Sequence, residues 1–145
     1  MSQTNTKVGD IRVAAGEDLT GKEGFLVKLT HDSSVPEVLL PTANGDYALY
    51  VVIDGAADTE NVSLRPIEAG RNMRAKLDGT CDPGDVLVLA DVATAEDKGK
   101  LRALPEDAGT YRGLAIAEEA GVDEQLVLCR PAMIGVITIG GDGGA

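Results

Sequence analysis

An all-β fold, a small barrel or sandwich behind a flexible N-terminal arm, is predicted by three features of the chain. Apolar segments of four to eight residues alternate with turn-forming residues along most of its length. Eighteen glycines and six prolines supply frequent chain reversals. The apolar content is mainly Val, Leu, Ala and Ile, with one Phe, three Tyr and no Trp, a light core suited to packing on pleated sheets.

The 145 residues are read as one domain, long enough to bury a core. Residues 1–13 form the arm, because the stretch MSQTNTKVGD is polar; Val8, Ile11 and Val13 are its apolar anchors. Strands are predicted over 25–30, 37–40, 47–53, 61–67, 72–78, 85–90, 100–104, 111–118, 124–130 and 133–139, within a domain spanning 14–139. Between them lie turn signals such as Asn44-Gly45, Asp54-Gly55, Asp78-Gly79, Pro83-Gly84, Lys98-Gly99 and Ala120-Gly121. Segment 72–78 alternates most cleanly, with Met73, Ala75 and Leu77 opposed to Arg74, Lys76 and Asp78. Segments 49–53, 86–90 and 126–129 are apolar on both faces, as strands covered on two sides should be. One short helix is admissible at 92–98, and 140–145, GGDGGA, reads as a flexible tail.

The stretch 111–130 tests the fold class. As a helix it would carry an adjacent carboxylate pair, Glu118 and Glu119, between Gly113 and Gly121. Each glycine weakens a helix by about 1 kcal/mol relative to Ala, and the apolar residues would spread around the axis. As strand–turn–strand, Leu114 and Ile116 share one face, the carboxylates solvate the turn, and the return strand runs until Pro131 interrupts pairing. The second reading is preferred.

A net charge of −11 opposes binding to nucleic acid or to anionic membrane. No run approaches the ~18 apolar residues that span a bilayer, and no apolar signal segment follows the N-terminus, so cytoplasmic synthesis is expected. Cys81 and Cys129 lie outside any CxxC spacing and read as reduced, buried thiols. The single histidine, His31, precedes Asp32, Ser33 and Ser34, but consecutive residues cannot build a catalytic triad. No zinc spacing, calcium loop or phosphate-binding glycine loop is present. No catalytic, metal or cofactor residue is therefore assigned. The tightest basic grouping is Arg65, Arg71, Arg74 and Lys76, which is either a wet sheet face or a contact patch for an acidic partner.

Within residues 80–131, Gly84-Asp85 leads the strand 86–89, and Gly99-Lys100-Leu101, Gly109-Thr-Tyr-Arg-Gly113-Leu-Ala115, the acidic turn 118–121 and the strand 126–128 follow in order. This layout resembles that of tailed-phage capsid decoration (cement) proteins. The family implies a β-barrel or β-tulip protein, often trimeric, on the exterior of the virion head. There it would bridge major capsid subunits and stabilise the shell without enzymatic activity. Under that reading Val8, Ile11, Val13, Arg71, Arg74 and Lys76 are the candidate capsid or subunit contacts. Two other functions remain open from the residues alone. One is a tail or baseplate β-module; the other is a ligand-binding or carrier barrel, whose lysine would be Lys98 or Lys100 at a hairpin tip. An enzyme acting through Cys81 or Cys129 is the least favoured.

Overall fold

A computed structural model describes residues 9–32 and 34–141. Ten strands run along it: β1 Ile11–Ala15, β2 Leu26–Thr30, β3 Glu37–Leu39, β4 Tyr50–Asp54, β5 Asn61–Pro66, β6 Met73–Lys76, β7 Val86–Leu89, β8 Leu101–Ala103, β9 Gly109–Ala117 and β10 Leu126–Ile139. No helix occurs among the described residues. Segment 92–98 is a chain of turns instead, with the Asp91 carboxylate accepting the Ala93 N–H at 3.0 Å and the Thr94, Asp97 and Lys100 N–H groups each bonding three residues back. Gly99, at φ +88°, then turns the chain out of any helical path.

The first five strands close a barrel in the order β1-β3-β2-β4-β5, with β5 returning to β1. Only the β1–β3 contact is parallel. Val27, Val38, Val52, Val62 and Leu64 fill the interior together with Leu19, Phe25 and Leu40 from the loops. The last five strands form a second sheet, ordered β6-β10-β9-β7-β8. A parallel bridge from Leu77 to Leu101 draws its two ends together, so this sheet is nearly closed as well.

The two sheets share buried material. On β2, Leu26 belongs to the core of the second sheet and Val27 to the barrel interior; on β4, Val51 and Val52 divide in the same way. Successive residues of a strand point to opposite faces, so both strands must be apolar on both sides. This is the physical meaning of the uninterrupted apolar run at 49–53. Backbone hydrogen bonds cross the same seam, from Leu26 N–H to Gly99 C=O at 2.7 Å and from Lys76 N–H to Gly24 C=O at 2.8 Å.

Two expectations need correction. Ile11 and Val13 are not free anchors of an arm: they lie in β1, paired with Leu64 and Val62 of β5, and half-buried against the barrel core. The alternation Ile11, Val13, Ala15 faces inward while Arg12 is exposed, which is a strand pattern. Val8 lies outside the described residues. Second, Pro131 does not interrupt pairing. It sits inside β10 opposite Ala115, and β10 continues through a bulge between Pro131 and Gly135 to Ile139. Pairing with β6 has already ended at Cys129–Met73, so the missing donor of Pro131 is tolerated on an open edge.

Candidate binding cleft beside the sheet seam

Strand β6 places the basic residues. Met73 and Ala75 point into the core, 4% and 0% exposed, and alternation turns Arg74 and Lys76 outward. Ahead of them, Glu68 to Arg71 is a tight turn, closed by the Arg71 N–H on the Glu68 carbonyl at 3.2 Å. The turn and β6 meet β4, β5 and β10 around an open cleft of about 360 Å³. Val51, Ile53, Met73 and Leu128 supply its apolar lining, and Arg65, Arg71, Asn72 and Arg74 its polar lining. Three of the four clustered cations thus share one concavity, and Lys76 stands outside it.

Most of these charges are already matched. Arg74 binds Glu119 at 2.8 Å and the Leu126 carbonyl at 3.0 Å. Lys76 lies 3.6 Å from Glu124, and Arg65 lies 3.1 Å from Asp10. Arg130, opposite the same turn, binds Glu118 at 3.1 Å and reaches the Ala69 carbonyl at 3.3 Å. Arg71 is exposed and has no carboxylate within ion-pair distance among the described residues, which makes it the cation free to meet an outside anion. Exposed pairs of this kind contribute only up to about 1 kcal/mol each, so a competing partner can exchange them cheaply.

Arg130 and the acidic partners Glu118, Glu119 and Glu124 join this surface only through the β6–β10 pairing, Arg74 opposite Leu128 and Lys76 opposite Leu126. The carboxylate pair is indeed a hairpin turn. Glu119 accepts the Leu128 N–H at 2.9 Å, and that bond, with Arg74, holds its carboxyl below the ordinary value.

The other candidate groups are occupied by the fold. Cys129 is fully buried and its thiol is pushed up to about 12, chiefly by burial and secondarily by Cys81. Burial also raises Cys81, so neither sulfur is a ready thiolate near neutral pH. Lys100 is not at an exposed tip: it is 5% exposed and clasped by Asp97 at 2.8 Å and by Glu124. That position does not suit a carrier lysine. No group of three metal-binding side chains occurs among the described residues, and no helix is long and apolar enough to cross a membrane.

No protein-family model matches the sequence, and no curated protein matches it. A solved structure does. The crystal structure of the N base of head fiber gp8.5 in bacteriophage phi29 superposes with a TM-score of 0.65, over 86% of this chain and 93% of that one. The two sequences are 12% identical, so the likeness is one of fold. It extends across both sheets, since neither sheet by itself makes up 86% of the chain.

Proposed function

We propose that this chain is a structural protein of a tailed-phage virion, bound to the outside of the head as a homo-oligomer and bridging major capsid subunits. The observation that carries the reading is the fold shared with the phi29 head-fiber base, over nearly the whole of both chains. The decoration-protein layout of residues 80–131 supports it independently, because Gly84, Gly99, Gly109 and Gly113 lie where the second sheet turns or is closely packed. In this reading the β6 face meets the shell: Arg71 engages a carboxylate of a capsid subunit, and the apolar lining of the cleft accepts an aliphatic side chain beside it. A symmetric oligomer on a symmetric lattice repeats each modest contact, and multivalency supplies the retention.

The test is attachment to expanded, undecorated heads of the cognate phage. Co-sedimentation, with added density at three-fold or quasi-three-fold positions, is the expected result; failure to bind such heads overturns the proposal. Density on the tail or baseplate instead would replace it with the tail-module reading.

A further inference from the structure

The distal half of β10 runs on beyond its partner on one side. β6 accompanies β10 only as far as the Cys129–Met73 pair, while β9 follows its other side to Ile139. From Arg130 onward the first side faces no strand among the described residues. Pro131 and the bulge ending at Gly135 blunt the start of this edge. Beyond them Gly135–Ile139 is regular, in step with Gly113–Gly109, and leaves a row of backbone N–H and C=O groups without a strand partner. β9 also lacks a strand partner on its other side at this end, because its pairing with β7 stops at Gly113; there the Arg112 side chain reaches the Gly45 carbonyl and the Tyr47 ring.

The segment is therefore a two-stranded ribbon with two open edges, an arrangement only marginally stable alone in water. The bulge and ribbon expose three large apolar side chains, Met133, Ile134 and Val136, at 68%, 40% and 57%, beside the exposed Thr110 and Thr138. Residues 131–141 form the longest stretch of the chain without a charged side chain. Soluble proteins normally guard such an edge with lysines or carboxylates, and this one carries none.

Charge selects the occupant. Copies carrying −11 each repel one another over most of their surfaces, and the ribbon, whose one charged side chain is Arg112, carries none of the acidic excess, so copies approach there at least electrostatic cost. A basic partner would gain nothing from an edge without carboxylates and would be drawn to the acidic surfaces instead. We propose that the distal ribbon, Gly109–Arg112 with Gly135–Ile139, joins copies of this chain by edge-to-edge strand pairing. The β10 edge of one copy meets the β9 edge of the next. The edges differ, so the contact is head-to-tail and generates a ring when the rotation closes. Rotation about an axis along the ribbon preserves strand direction, so the incoming β9 runs antiparallel to β10, as it does within each copy. This deepens the oligomeric part of the proposed function and rests on that part alone.

The experiment is the molar mass of the full chain in solution, by size exclusion with light scattering at micromolar concentration, for wild type and for Met133→Lys combined with Val136→Lys. Both side chains are more than half exposed, so a single copy tolerates the change. A wild-type oligomer that becomes a folded monomer in the variant is expected. A monomeric wild type, or a variant that stays oligomeric, overturns the inference. If the variant loses its fold, amide exchange of the wild type decides: 135–139 amides protected in the oligomer and released on dilution support the contact, and fast exchange throughout overturns it. Attachment to heads is measured separately. A ribbon-linked oligomer that never binds heads would sink the capsid reading and leave this one standing.

Discussion

Lys100 is a buried cation whose charge the fold keeps. Burial opposes that charge, but the hydrogen bonds to Asp97 and Glu124 outweigh it and raise the lysine above its ordinary value. A raised folded pKa stabilises fully below the unfolded value, about 10.4, and the gain fades as pH climbs through the folded one. Lys100→Met should therefore cost about 1–2 kcal/mol in denaturant unfolding, modest because Glu124 remains half in water. The deficit should be constant across neutral pH and shrink only in strong alkali. At Cys129, replacement by Ala should cost about 1 kcal/mol and by Ser more, because the serine hydroxyl is buried without a designed partner. A thiol reagent should label both cysteines slowly in the native protein and fully in denaturant; fast native labelling would contradict the burial. Arg71→Glu should weaken attachment to heads several-fold while leaving the melting temperature unchanged, since no carboxylate of the fold is left unpaired by it.

At the scale of elements, local chemistry was legible and pairing was not. The strands at 26–30, 61–66 and 86–89 fall where the apolar segments and turn signals place them, because both are set by neighbouring residues. β1 reads as arm in the sequence despite its Ile11, Val13, Ala15 alternation, because the polar residues before it dominate and its partners, β3 and β5, lie far along the chain. β10 reads as two strands divided at Pro131, because the sequence does not show that β6 ends two residues earlier. The cleft was half legible for the same reason: Arg71 and Arg74 are close in sequence, whereas Arg130 and Glu119 reach them only across strands. Deleting residues through Ala15 should open the barrel between β3 and β5 and abolish cooperative unfolding of that half, which calorimetry would show. Gly99→Ala should cost about 2 kcal/mol or more, because φ is +88° and the new Cβ would meet the Leu26 carbonyl oxygen at 2.8 Å, where the two sheets are stitched together.

Across the whole molecule, β2 and β4 serve two cores at once, so damage to either strand is felt on both sides. Thermal unfolding should give one transition, with amide exchange reporting similar global opening for β5 and β9; two separated transitions would show that the sheets are independent. The acidic charge sets the pH response. For Asp46, burial works against its carboxylate, but the Thr42 and Ala43 N–H groups and Lys28 hold it below its ordinary value. Its contribution is present above the unfolded value, about 3.9, and lost as pH falls through the lower folded one. Asp78 behaves oppositely: burial, then Asp97 and Asp123, raise it, so its ionisation strains the fold near neutrality and mild acid relieves it.

The position of β10 within its sheet governs the order in which the chain can assemble. Every strand of the barrel comes from residues 11–66, so that half can close as soon as those residues are free to fold. The second sheet cannot. Its last strand in sequence lies between β6 and β9, so β6 has no strand partner until β10 is present. Loop closure over the β6–β10 interval precedes any reward from that pairing, which should make the docking of β6 on β10 a late event. Until it occurs, β6 and β9 expose apolar faces to their surroundings, and the newly made chain is most vulnerable to aggregation in that interval.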